Sequence, residues 1–226
     1  MNICIIPARI GSKRIKEKNI YKFFGKPIIS YVIKEMKKTN IFDDVIVSTD
    51  SEKIKKISLK YGASIYFKRP KPLCADKTTT QEIVKHAIRY LNKKNKLIKN
   101  VCCVYPTAIL LKIKHIIKAY ELLKLKKKGF IFSASKFEHP IERALIEKKN
   151  ILKVNKKAFI KRQSNFINYH YYDVGQFYWG KADDWLKSRT IFEKYSKIYP
   201  LSRFEAIDIN YKDDLKHAKI LFKTKF

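Results

Sequence analysis

Short apolar runs alternate with stretches whose apolar residues recur every three to four positions, and the alternation persists through roughly the first 135 residues. Asn2 to Pro7 reads as a buried strand, followed by a basic loop containing Gly11 and then by a helical stripe of Ile28, Ile29, Val32, Ile33 and Met36. Asp44 to Ser48 predicts a second strand, and Ser51 caps the helix after it, which Gly62 ends. Ser64 to Lys68 reads as a third strand. Thr79 or Thr80 starts a helix carrying Ile83, Val84, Ala87, Ile88 and Leu91. A strand at Val101 to Tyr105 and a helix from about Ile113 to Lys127 follow.

Strands alternating with helices of this length predict an α/β fold, a Rossmann-like doubly wound and mostly parallel sheet joined by right-handed crossovers. Ligands of such sheets bind beyond the carboxyl ends of the strands. The rhythm breaks after Phe130 to Ser135, and residues 136–172 are polar, aromatic and weakly periodic, as an insertion would be. It returns at Gly175 to Trp179 and closes with a helix from about Lys212 to Lys223. The 226 residues suit one domain containing that insertion.

Composition narrows the class. No apolar run reaches membrane-spanning length and no secretory leader precedes the first strand, so a cytoplasmic location is expected. Cys4, Cys74, Cys102 and Cys103 lack metal-ligand spacing, and three of them lie in apolar strands as small core residues. The formal charge of +31 attracts polyanions. Only eight of the 51 basic residues are arginine, however, and the lysines are spread through almost every segment, as A+T-rich coding would also produce. Helix-turn-helix, zinc-finger and RNP patterns are absent, so nucleic-acid binding is the competing reading from another class and no nucleic-acid partner is expected.

The residues with the clearest chemistry lie between Ile6 and Asn19, in the sequence IPARIGSKRIKEKN. Gly11 permits close backbone approach, Ser12 adds a hydroxyl donor, and Arg9 and Lys13 add positive charge, which together outline a phosphate site. The spacing is neither that of a Walker A loop nor that of a dinucleotide fingerprint. A basic turn in a lysine-rich chain would carry many of the same residues.

This loop resembles the signature of the CMP-N-acylneuraminate synthetase family, and the resemblance extends along most of the chain. Val47 to Asp50 is similar to the family's VSTD turn, Arg69 to Asp76 to its RPxxLAxD pattern, and Tyr105 to Ile109 to its QPTSP turn. Asp208 with Asn210 resembles an aspartate pair near the C-terminus. VCCVYPTA, HPIERAL and YYDVGQFYWG look most like the pseudaminic acid cytidylyltransferase branch.

The resemblance implies transfer of CMP from CTP to an acidic nine-carbon sugar, with pseudaminic acid first and N-acetylneuraminate, legionaminate or another ulosonic acid as alternatives. It implies that Arg9, Ser12 and Lys13 hold the CTP phosphates, with Ala8 and Gly11 in the same loop, and that Asn19, Arg69 and Thr80 lie near the nucleoside. Asp208 and Asn210 stand where relatives bind Mg²⁺. Because Asn210 replaces the second carboxylate, Asp208 is the principal expected ligand and the number of metal ions stays open. Arg162 is the expected clamp on the sugar carboxylate, Arg143 a second candidate, and Tyr105, Gln163, Asp173 and Gln176 are expected to contact the sugar. Tyr172 and Phe177 are expected to wall the sugar pocket. Residues 136–172 are expected to contribute to a homodimer interface and to the sugar site.

Overall fold

The computed structural model describes residues 1–154 and 169–224. Its central sheet has six strands, with β1 at Asn2–Pro7, β4 at Asp44–Ser48, β5 at Asn100–Val104, β6 at Ile131–Lys136, β9 at Tyr171–Lys181 and β10 at Lys197–Pro200. Two ribbons lie outside it, β2 (Lys22–Phe23) with β3 (Lys26–Pro27), and β7 (Leu145–Lys148) with β8 (Ile151–Val154). The order across the sheet is β10-β6-β9-β5-β1-β4, and within it only β9 runs antiparallel to its neighbours.

Side-chain alternation divides the core between the two faces of the sheet. On one face Cys4, Ile6, Val47, Cys102 and Trp179 pack beneath helices α1 (Ile28–Lys38), α2 (Glu52–Lys60) and α4 (Ile113–Lys124). On the other, Ile3, Ile5, Val101 and Cys103 pack beneath α3 (Thr80–Asn92) and α5 (Ala182–Lys187). The chain leaves β1 through α1 to reach β4 on one side and returns through α3 to β5 on the other. A crevice therefore opens where β1 and β5 diverge at their carboxyl ends, the switch point of a doubly wound sheet. The last helix, α6 (Lys212–Lys223), closes over this end with Ile207, Ile209, Leu215 and Ala218 against Ile15, Phe23 and Ile28.

Two local expectations, the strand at Ser64 to Lys68 and the role of Phe177, differ from the structure, and the choice between Thr79 and Thr80 is decided by it. Ser64 to Lys68 forms no strand and touches β4 and its exit only through isolated bridges at Ser64 and Lys68, because the chain is already turning toward the crevice. Thr79, not Thr80, caps α3: its hydroxyl accepts from the Glu82 N–H, and the Glu82 carboxylate accepts from the Thr79 N–H at 2.7 Å, a complete capping box. Phe177 is fully buried against Tyr199 and the sheet, so it packs the core and walls no pocket. Among the described residues no helix is long and apolar enough to cross a membrane.

Candidate active site

The loop leaving β1 begins as a continuation of the sheet, with the Ala8 N–H donated to the Ser48 carbonyl at 2.9 Å. It is then held open from both sides. The Ile10 N–H donates to Asp50 at 3.1 Å, and the buried Asn19 closes the loop by donating its amide to the Arg9 carbonyl at 2.8 Å. Asp50 of the VSTD turn thus holds the loop's entry and Asn19 its exit. Each keeps a backbone group satisfied that the irregular path would otherwise leave unpaired.

The loop borders a cleft of about 590 Å³. Its walls bring together Arg9, Gly11, Ser12, Lys13 and Asn19 from the first loop, Arg69 from the segment between α2 and α3, Thr80 at the start of α3, Tyr105 after β5, and Asp208 with Asn210 before α6. Ten of the residues singled out by sequence therefore meet in one place, although they are separated by up to about 200 positions along the chain. Ala8 is buried beneath the loop. An added Cβ at Gly11 meets no atom within 4 Å, which leaves open space on the cleft side.

Electrostatically the cleft is a cluster of cations with few acids. Arg9 donates to the Cys74 carbonyl at 2.8 Å and to Asp76 at 2.7 Å, and Lys13 meets the other oxygen of Asp76 at 2.5 Å. Hydrogen bonds from Lys13 and then Arg9 hold the Asp76 carboxyl below its ordinary pKa. Arg69 is 2% exposed, bonded through Nε to the Ser48 hydroxyl and through a terminal nitrogen to the Ser48 carbonyl. Burial lowers its pKa, yet a guanidinium remains charged, so the floor of the cleft carries a fixed cation. Thr80 and Tyr105 share a short hydroxyl–hydroxyl bond, and burial pushes the Tyr105 phenol up to about 12, which keeps it neutral and able to donate.

Two cations beyond the expected set line the same cleft. Lys18 donates to the Ile209 carbonyl at 2.5 Å, and Arg14 donates to the Asn210 side-chain oxygen at 2.8 Å while lying over the Tyr211 ring. Both belong to the basic run of the first loop, where sequence offers no way to tell which lysine or arginine turns inward. Burial lowers the pKa of Lys18, with Asp208 acting in the opposite direction.

The remaining sugar-site expectations divide. Arg162 and Gln163 lie outside the described residues. Gln176 is 1% exposed and does not line the cleft; its amide nitrogen donates to the Glu205 carbonyl at 2.6 Å and the Ile207 carbonyl at 3.4 Å. It anchors the segment that carries Asp208, and Glu205 adds a second anchor by pairing with Lys112 at 2.8 Å, just before α4. The Asp173 carboxylate accepts from the Tyr178 hydroxyl at 2.6 Å and the Gly175 N–H at 2.9 Å, within its own strand. Burial raises the Asp173 pKa, opposed by these bonds. Tyr172 is exposed and meets Phe137 edge-on. Arg143 closes a short 3₁₀ turn, its N–H donated to the Pro140 carbonyl.

Comparison with known proteins bears on the family and the fold. The cytidylyltransferase family model matches residues 3–222. A pseudaminic acid cytidylyltransferase of Campylobacter jejuni subsp. jejuni serotype O:2 is 42% identical over 225 residues, 99% of this chain and 97% of the relative. An N-acylneuraminate cytidylyltransferase of Escherichia coli O18:K1:H7 is 28% identical, covering 99% of this chain and 52% of the relative. Among solved structures, CMP:2-keto-3-deoxy-manno-octonic acid synthetase complexed with CTP matches with a TM-score of 0.73 at 12% identity, covering 100% of this chain and 99% of that one. A 4-diphosphocytidyl-2C-methyl-D-erythritol synthase of Anaerococcus prevotii follows the same fold, with a TM-score of 0.65 at 14% identity, covering 98% of each chain.

Proposed function

The chain belongs to the cytidylyltransferase family, and from that premise we propose that it transfers CMP from CTP to the anomeric hydroxyl of pseudaminic acid, releasing pyrophosphate. The observation that carries this reading is the convergence of Arg9, Lys13, Arg14, Lys18 and Arg69 on one cleft with Asp208, in a chain similar along its whole length to a pseudaminic acid cytidylyltransferase.

In the transfer, a bond forms from the sugar oxygen to the α-phosphorus as the bond to the pyrophosphate oxygen breaks. Charge grows on the phosphoryl and leaving oxygens. Catalysis of such a step is chiefly positioning and electrostatic stabilisation. Arg9 and Lys13 are assigned to the phosphates with Ser12 as a hydroxyl donor, and the triphosphate competes with Asp76 for both cations. Asn19, Arg69 and Thr80 are assigned to the nucleoside side of the cleft, with Asn19 acting through the loop it closes. Tyr105 is assigned to the sugar, together with Arg162 and Gln163 on the strength of sequence alone.

Among the described residues no group of three or more His, Cys, Asp or Glu side chains forms a metal cage. A cleft carboxylate outside the Arg9–Lys13–Asp76 cluster suits Mg²⁺, a hard ion that takes one or two protein carboxylates and completes its shell with phosphate oxygens and water. Asp208 would hold it, and the ion would offset charge on the phosphate oxygens and make the sugar hydroxyl more acidic.

A homodimer is part of the proposal. The β7–β8 ribbon exposes Leu145, Ile146, Ile151 and Leu152, each more than half accessible, which a lone subunit would leave in water. A cytoplasmic location fits the substrates.

The test is pyrophosphate release from CTP with a panel of nonulosonic acids. Pseudaminate should give the highest kcat/KM, about ten- to a hundredfold above N-acetylneuraminate, the discrimination expected when hydroxyls of the wrong sugar are buried without partners. Equal turnover of N-acetylneuraminate overturns the sugar assignment. Absence of pyrophosphate release with every sugar overturns the nucleotidyl-transfer reading.

A further inference from the structure

Asp208 and Asn210 alternate with the buried Ile207 and Ile209 along an extended segment, so both polar side chains face the cleft. The two ends of the Asn210 amide are distinguished by their partners. Arg14 can only donate and an ionised Asp208 can only accept, so the oxygen must face Arg14 at 2.8 Å and the nitrogen must face Asp208 Oδ2 at 2.5 Å. The Asn210 backbone is fixed as well, its N–H donated to Asp214 at 2.7 Å. Asn210 thus presents its one ligating atom to a guanidinium and an N–H to the carboxylate. A cation taking the other lone pair of that oxygen would sit against the Arg14 guanidinium.

We propose that Asn210 is not a metal ligand, and that Arg14 supplies, beside Asp208, the fixed positive charge that a second divalent ion would otherwise bring. The site takes one divalent cation. This rests on the assignment of Asp208 to the metal. A second carboxylate would offer an ion two more oxygens. An amide held by Arg14 offers one remaining lone pair, and the guanidinium beside it repels a second cation.

The test is a Mn²⁺ titration of the intact chain, with free ion counted by electron paramagnetic resonance and folding checked by thermal melting. The parent should take up one Mn²⁺ per chain. Asn210→Ala should leave the Kd within about threefold, because no ligand is lost. Asn210→Asp alone should do the same, because Arg14 engages the new carboxylate. Asn210→Asp combined with Arg14→Gln should bind roughly tenfold tighter or take up a second ion, the scale on which groups around a metal set its affinity. A tenfold weakening in Asn210→Ala makes Asn210 a ligand and overturns the inference. Equal tightening by Asn210→Asp with and without Arg14 overturns it too, since Arg14 would then not govern the position. A parent that takes up no Mn²⁺ overturns it together with the Asp208 assignment, whereas pyrophosphate release from CTP reports separately on the reaction.

Discussion

Replacing Arg9 with alanine separates the stability of the loop from its chemistry. In the unliganded chain Arg9 makes two contacts, one with the Cys74 carbonyl and one with Asp76, and its side chain is 32% exposed. The carbonyl bond is the better sheltered and is worth about 1 to 2 kcal/mol at most. The ion pair is solvated and contributes little, and Asp76 keeps Lys13 as a partner. Asn19 and Asp50 still hold the loop by its backbone. Arg9→Ala should therefore remain folded, with a small loss of stability in urea. Against the transition state the same side chain opposes charge growing on phosphoryl oxygens inside a cleft, where loss of one such donor costs about 100- to 1,000-fold in kcat. Arg9→Lys should recover part of the rate, because charge returns but the planar fork does not. Pyrophosphate release and urea denaturation on the same preparations provide the comparison. A rate within a few-fold of the parent in Arg9→Ala would remove Arg9 from the mechanism; a rate that fell only in proportion to unfolded protein would make its role structural.

Asp208→Asn should abolish turnover or raise the Mg²⁺ concentration it requires, and a Mg²⁺ titration matching the parent would refute the metal assignment. Burial lowers the Lys18 pKa, so raising the pH neutralises it before the exposed lysines and kcat/KM should fall on the alkaline side. Lys18→Arg, which stays charged, should move that limb to higher pH, and an unmoved limb would exclude Lys18 as its source. Gly180→Ala would set a Cβ 2.6 Å from the Phe130 ring and 2.9 Å from Trp185 Nε1, both fully buried. Overpacking of that kind costs about 1 to 3 kcal/mol and should lower Tm by several degrees, with an unchanged Tm as the refuting result. Light scattering should find a dimer in the parent and a monomer after Leu145→Glu with Leu152→Glu; a monomeric parent with full activity would refute the interface.

Periodicity and turn chemistry alone determined the strand–helix alternation, the break after β6 and the return of regular structure into α6, because local spacing decides which faces can be buried. That the loop after β1 borders the cleft was legible from the alternation too, because ligands of a parallel sheet bind beyond the carboxyl ends of its strands. The sequence could not reveal which polar side chains are taken up by the protein itself. Gln176 looked available for a sugar until the fold placed it beneath the 205–207 segment, and only the fold brought Asn210 to Arg14. Phe177 sits one residue from Gln176 but on the opposite face of β9, and packing in the core on that face buried it completely. Tertiary structure decided these roles because a polar group's function depends on which partner reaches it, and the partners here lie tens to nearly two hundred residues away, beyond the range of any local pattern.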